Sequence, residues 1–295
     1  MLGFPAKFEK RTVGKDNTPV GEGTFKVPRS YEELIDEAYE ALEQSRFDEA
    51  LEYGRQAINS APQGAPGHYL AGAALVEMRH FEEAIPCLRT AIEIDPNYPD
   101  ARFCLASAHF STCHFVAARH ELNRILEAEP QMADAHYWMG LCQERDGRLQ
   151  EADLSFTRAF ELDPKRFRRP CRLARPRFLQ VIEDSMALLP PYFRRCLEEM
   201  DMTVEDLPSV DLLFRFDPPL DPELFGLFIG TPVLEKALMD HPPPLQDRIF
   251  LFQRNLERFS SSQGHLQNEI RLTLVHEVGH AMGLDDEGLT RLGYD

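Results

Sequence analysis

The run from 266 to 282 contains no proline, and its apolar residues recur with the period of an α-helix. Ile270, Leu274, Val275, Val278, Ala281 and Met282 fall on one broad face, while His276 and His280 rise from the other side. The pattern predicts a helix that buries its back and turns two imidazoles toward a cleft. Gly283 follows as a C-terminal breaker, because only glycine takes a left-handed backbone without steric penalty. Upstream, the stretch 224–229 is apolar, punctuated by Gly226, and reads as a strand. Such a strand suits either a sheet edge, where an extended peptide can pair with it, or an ordinary core.

The first half of the chain has a longer period. Pro62, Pro96, Pro130 and Pro164 are spaced by 34 residues, and counting back from each gives repeats at 31–64, 65–98, 99–132 and 133–166. The eighth position carries Ala38, Gly72, Ala106 and Gly140, and the twentieth Ala50, Ala84, Ala118 and Ala152. The twenty-seventh reads Ala57, Ala91, Ile125 and Ala159, with one departure in the third repeat. Small residues are needed where two helices cross closely. The pattern resembles the tetratricopeptide repeat, and the resemblance implies an α-solenoid of four helix pairs whose concave face binds extended peptides or partner helices. At the fifth position, which in that family usually lies on this face, stand Ile35, Tyr69, Phe103 and Tyr137. The three aromatics form a candidate peptide groove, or else they pack between helices. Glu32, Pro66, Asp100 and Asp134 at the second position lack the lysine and asparagine pattern of a carboxylate clamp, which argues against a chaperone-tail receptor.

Chemistry concentrates near the C-terminus, in His276-Glu277-Val278-Gly279-His280 and the acids Asp285 and Asp286. Histidines four apart on a helix lie roughly 40° apart on the wheel, so both reach one metal. Glu277 beside them is placed to take a proton from water that a zinc ion activates. After the turn at Gly283, Asp286 can swing back as a third ligand, where the related long zinc motif has a histidine. Asp285 is the other candidate, and either acid can instead cap a short helix beginning near Glu287. Two histidines and one carboxylate leave a coordination position open, the mark of a catalytic zinc.

From about Phe178 to the end, the order of segments resembles the minimal zincins, small metallopeptidase-like domains of the zincin superfamily. The likeness is carried by Val204-Glu205-Asp206-Leu207-Pro208, by Leu224-Phe225-Gly226-Leu227-Phe228-Ile229-Gly230, and by Arg248-Ile249-Phe250-Leu251-Phe252. Its most specific part is the His276 motif with the tail Arg291-Leu292-Gly293-Tyr294. The resemblance implies a compact α+β zincin-like domain holding one zinc ion, with His276, His280 and Asp286 as ligands and Glu277 as general base. The nine residues after Asp286 hold no methionine turn, a departure from the larger metzincin relatives. Tyr294 is a candidate hydrogen-bond donor to an oxyanion, or a packed tyrosine.

Charge narrows the choice of partner. Residues 31–164 hold 10 basic and 25 acidic side chains, and residues 178–295 hold 9 and 21, so both regions repel nucleic acid and favour basic or neutral polypeptides. Between them, residues 165–177 carry seven basic groups and no acid, including Arg172, Arg175 and Arg177. This run suits a phosphate-binding strip or a linker helix end docked on acidic neighbours. Residues 1–30 mix glycine, proline and charge without periodicity, as in a flexible lead. The expected organisation is thus a flexible segment over 1–30, repeats over 31–166, a basic linker over 167–177 and a zincin-like domain over 178–295.

No run of 18 apolar residues exists, and no apolar stretch follows a basic start, so neither export nor a membrane span is expected. Six cysteines without CxxC spacing read as reduced thiols of a cytoplasmic protein. The functional expectation is a zinc metallopeptidase that cuts peptide or protein substrates and recruits a protein partner through its repeats. The alternative is a repeat scaffold carrying a catalytically silent zinc domain. A metal-dependent ribonuclease is disfavoured, because Glu277 and Asp286 replace features of the three-histidine pattern and both regions are acidic.

Overall fold

The computed structural model describes residues 29–231 and 247–291, apart from the side chain of Asp286. Residues 1–28 of the expected flexible segment therefore lie outside the described residues. The chain divides into two compact units, Met1–Cys142 and Gln143–Asp295.

The first unit is a helical solenoid. Its helices are α1 (Tyr31–Glu43), α2 (Phe47–Ser60), α3 (Ala65–Glu77), α4 (Phe81–Ile94), α5 (Pro99–Ser111) and α6 (Phe115–Ala128), with α7 (Ala133–Arg145) crossing into the second unit. The first helix of each repeat starts at 31, 65, 99 and 133, the positions that the proline period marks. From α1 to α6 each helix packs on the next, and α1 stacks on α3 as α3 does on α5. The small residues make this possible. A Cβ on Gly72 would stand 2.6 Å from Leu88 Cγ, and one on Gly54 would stand 2.8 Å from the Ala71 amide nitrogen. Ala50, Ala57, Ala84, Ala91, Ala106 and Ala118 are all buried, and Ile125 is accommodated in the same way.

The turn inside each repeat uses one device. Ser45, Arg79, Cys113 and Gly147, each at the fifteenth position, take positive φ of 57°, 61°, 60° and 73°. After α1, Arg46 N donates to Ala41 O at 2.8 Å and Ser45 N to Leu42 O at 3.0 Å. These are the two bonds of a Schellman motif, which satisfies the last carbonyls of the helix.

The aromatic row is not the continuous groove that the fifth positions suggest. Tyr69 is 0% exposed, with its ring tilted between those of Tyr39 and Tyr98. Phe103, 4% exposed, meets Trp138 edge to face. Apolar area is stabilised by leaving water, so both rings pack between helices, the other of their two sequence readings. Tyr137 is half-buried.

The second unit opens with α8 (Leu149–Leu162) and continues through α9 (Arg175–Ala187), α10 (Pro191–Glu198), β1 (Asp201–Glu205), α11 (Val210–Leu213), β2 (Gly226–Ile229) and β3 (Arg248–Phe252). It ends with α12 (Gln253–Phe259), α13 (Gln263–Ala281) and α14 (Asp286–Arg291). Among the described residues the sheet has three strands in the order β1-β3-β2, with β1 parallel and β2 antiparallel to β3. β3, buried at Ile249 and Leu251, faces the apolar stripe Leu266, Ile270, Leu274 and Val278 of α13 in one core with Phe178, Val181 and Ile182 of α9. This α+β arrangement fixes α13, and with it the histidine motif, against the sheet.

The basic run passes without helical structure over 165–174 and enters the first turn of α9 at Arg175, and two of its arginines dock on acids within the second unit. The Arg172 guanidinium pairs with Glu144, with Asp153 at 2.8 Å and with Glu257 at 3.3 Å, and Arg175 pairs with Asp206 at 2.6 Å. Arg258 joins Glu144 to Glu223. Glu144, Glu257 and Arg258 are all buried, so each charge depends on its partner for what water no longer supplies.

Candidate metal centre

The centre is built on the last two turns of α13. Ser262 caps the helix start, its hydroxyl accepting from His265 N at 3.2 Å. The helix begins three residues before the stretch that apolar periodicity delimits, because Gln263, Gly264 and His265 are polar or small and carry no periodic signal. Its far end is another Schellman motif. Gly283, at φ 87°, lets Leu284 N donate to Gly279 O at 2.9 Å while Gly283 N donates to His280 O at 2.9 Å.

That turn places the Leu284 carbonyl over His280, whose Nδ1 lies 3.0 Å from it. A carbonyl can only accept, so Nδ1 carries the proton of the neutral ring and Nε2 keeps its lone pair. This is how metal-ligating histidines are commonly oriented from behind. His280 Nε2 stands 3.0 Å from His276 Nε2, with the rings nearly perpendicular at 88°. Two nitrogens about 2.0–2.1 Å from a tetrahedral zinc are about 3.3 Å apart, a few tenths of an ångström wider than this pair stands. Both rings are half-buried.

Glu277 faces the sheet and is buried at 7% exposure. Its Oε2 accepts from the Phe228 amide of β2 at 2.6 Å. The strand can come this close because residue 226 is glycine. A Cβ there would lie 2.6 Å from Thr273 Cγ2 and 3.1 Å from Glu277 Cγ. Asn255 Nδ2 ties down the approach to β2, donating to Pro222 O at 3.0 Å and Leu224 O at 2.7 Å.

After the turn, Asp285 caps α14. Its Oδ1 accepts from Gly288 N at 2.8 Å and its carbonyl from Leu289 N at 3.0 Å. Asp286 is the first residue of α14, and its side chain lies outside the described residues, as does Tyr294. Among the described residues no group of three or more histidine, cysteine or acidic side chains converges on one point. The helix that carries Asp286 docks through Leu289 onto Gly279, where a Cβ would stand 2.4 Å from Leu289 Cδ2. Three participants have no signature in side-chain chemistry: the Leu284 carbonyl, the Phe228 amide and the gap at Gly226. Only the two glycines, 226 and 283, hint at them in the sequence.

Among the cysteines, Cys104 and Cys142 are buried. Among the described residues no helix is long and apolar enough to cross a membrane.

Residues 197–294 match the sequence model of the family described as Zincin-like metallopeptidase. Residues 75–143 and 133–166 match two tetratricopeptide repeat models. No curated protein matches the sequence significantly. Among solved structures, a crystal structure of MamA is 23% identical, with 47% of this chain and 81% of that chain covered at a TM-score of 0.43. MamA from residue 41 to its end, of Desulfovibrio magneticus RS-1, is 21% identical over 45% of this chain and 76% of that one, with a TM-score of 0.42. YrrB, described as a TPR protein with an unusual peptide-binding site, is 20% identical over 46% and 71% of the two chains, also at 0.42. The chain thus carries tetratricopeptide repeats over residues 75–166 and a zincin-like metallopeptidase domain over residues 197–294.

Proposed function

We propose that this chain is a zinc-dependent peptidase of the cytoplasm whose repeats recruit a peptide or protein partner. One observation carries the reading: His276 and His280 bring their Nε2 atoms to 3.0 Å on one face of α13, with Glu277 between them in sequence. Two ring nitrogens at that distance, one with its lone pair set by Leu284, form a chelate for a borderline-soft divalent cation. Asp286 is the third ligand of this reading. Its neighbour Asp285 is already engaged as the cap of α14, and Asp286 is the acid next along the turn that leaves His280.

If held there, zinc would supply Lewis-acid polarisation of a carbonyl and a water acidic enough to ionise near neutral pH. In this reading Glu277 is the general base that takes a proton from water and returns it to the departing amine. His280 keeps its orientation through Leu284, so the ring does not have to reorganise. The excess of acidic side chains in both regions favours basic or neutral polypeptides over nucleic acid, and six cysteines without CxxC spacing suit a reducing compartment. Of the three aromatics proposed to line the repeat groove, Tyr137 remains a candidate contact.

The test is metal analysis of the purified chain together with digestion of an unfolded protein. The expected result is about one zinc per chain, and loss of digestion in Glu277→Gln with the zinc retained. Digestion that survives this substitution would refute Glu277 as the base. Bound zinc without digestion of any unfolded protein would favour the silent scaffold, and digestion of RNA in a parallel reaction would point to a nuclease.

A further inference from the structure

The base of the proposed reaction and the sheet edge share one donor. Phe252 N donates to Phe225 O at 2.9 Å, and the register pairs Leu227 with Phe250 and Ile229 with Arg248. Hydrogen-bonded and non-hydrogen-bonded pairs alternate along an antiparallel ladder, so Leu227 and Ile229 turn their backbone groups toward β3, while Gly226 and Phe228 turn theirs outward. Among the described residues β2 is an edge strand, and an extended peptide joining that edge would use the outward groups of 226 and 228. The Phe228 amide is already engaged, however, because it donates to Glu277 Oε2 at 2.6 Å.

This contact is built in from three directions. A carboxylate 7% exposed needs a donor to replace the water it has lost, and a charge-assisted bond of this length is among the stronger ones. Thr273 Oγ1 donates to Glu269 O at 2.8 Å, which fixes its rotamer with the methyl toward Gly226. The missing side chain at 226 lets β2 settle against that methyl, and Asn255 holds the chain before β2 in place. Strand and helix are thereby held at the separation the hydrogen bond requires.

We propose that the main-chain amide of Phe228 is a positioning group reserved for Glu277, so that a peptide laid along β2 takes its hydrogen bonds at Gly226 and not from the Phe228 amide. The proposal rests on the peptidase reading above and deepens it. Fixing one carboxylate oxygen from the sheet sets the rotamer of Glu277, and so the direction its other oxygen faces. It also fixes the register of the peptide, since one of the two outward amides of the strand is withheld.

Phe228→Pro removes the donor at a site where the ladder does not need it. Phe228→Ala, which loses the same ring and keeps the amide, is its reference. In the zinc-loaded chain digesting casein, the proline variant is expected to have a kcat at least tenfold below that of the alanine variant, with KM within twofold. A raised KM with kcat retained would assign the amide to substrate and overturn the proposal, as would equal kinetics in the two variants. Amide hydrogen exchange followed by NMR gives a readout that needs no activity. The Phe228 amide should be protected in the wild type and in Glu277→Gln, whose carboxamide oxygen still accepts, and should exchange at least tenfold faster in Glu277→Ala. Equal exchange in all three chains overturns the proposal. A chain that cuts no protein but shows the expected exchange pattern would fail as a peptidase while the pairing of Phe228 with Glu277 stands.

Discussion

Gly283 couples a backbone conformation to His280, the proposed metal ligand, and substituting it separates the two. At φ 87° an L-residue is strained, by about 1–2 kcal/mol for alanine and more for a β-branched side chain. Against the strain stand the two Schellman bonds, at about 0.5–1.5 kcal/mol each, and the bond from His280 Nδ1 to Leu284 O, of similar worth. Together these hold the turn with roughly 1.5–4.5 kcal/mol, which exceeds the strain of alanine. Gly283→Ala should therefore keep the turn and lose about 1–2 kcal/mol of stability, with zinc affinity unchanged within threefold. Gly283→Val should open the turn. With it goes the Leu284 carbonyl that orients His280, and zinc affinity should fall about 10–100-fold, the usual cost of losing such a support. Urea unfolding of the zinc-free chain gives the first quantity, and competition against a fluorescent chelator gives the second. The reasoning fails if Gly283→Ala weakens zinc binding without loss of stability, or if Gly283→Val leaves zinc binding intact.

Three further outcomes follow from the packing. Arg258→Met leaves buried Glu144 and half-buried Glu223 with fewer partners, although Arg172 still serves Glu144, so urea unfolding should show a loss of about 3 kcal/mol, the low end for a broken buried pair. Ser45→Gly relieves a left-handed residue worth about 1–2 kcal/mol at a cost of about 0.5–1 kcal/mol in unfolded-chain entropy, so stability should rise by about 0.5–1 kcal/mol. Burial, reinforced by nearby Arg89, lowers the pKa of His109 below its ordinary 6.5. The unfolded chain then binds the proton more readily than the folded one, so this contribution to stability is complete above pH 6.5 and is lost as pH falls through the folded pKa. In His109→Phe the acid-side slope of unfolding free energy should flatten, and an unchanged slope would assign it to other groups.

Much of this protein is determined by local sequence, because the features involved repeat at helical spacing or at a fixed period. The 34-residue proline period marks where helices begin at 31, 65, 99 and 133, since proline and small residues act on backbone geometry and close packing wherever they occur. His276 and His280 share a face because helical geometry alone puts residues four apart side by side. What lies at long sequence separation was decided only by the tertiary structure. Asp285 caps α14 because the chain has bent at Gly283, which its own chemistry does not foretell. Tyr69 and Phe103 went into the stack because the helices flanking them closed over both faces, which a pattern of aromatic positions does not encode. Glu277 reached the Phe228 amide, 49 residues away, only when β2 had paired with β3 and the bare Gly226 had let it approach α13. Side-chain chemistry can be read one residue at a time, whereas backbone donors, carbonyls and burial are properties of how distant segments pack.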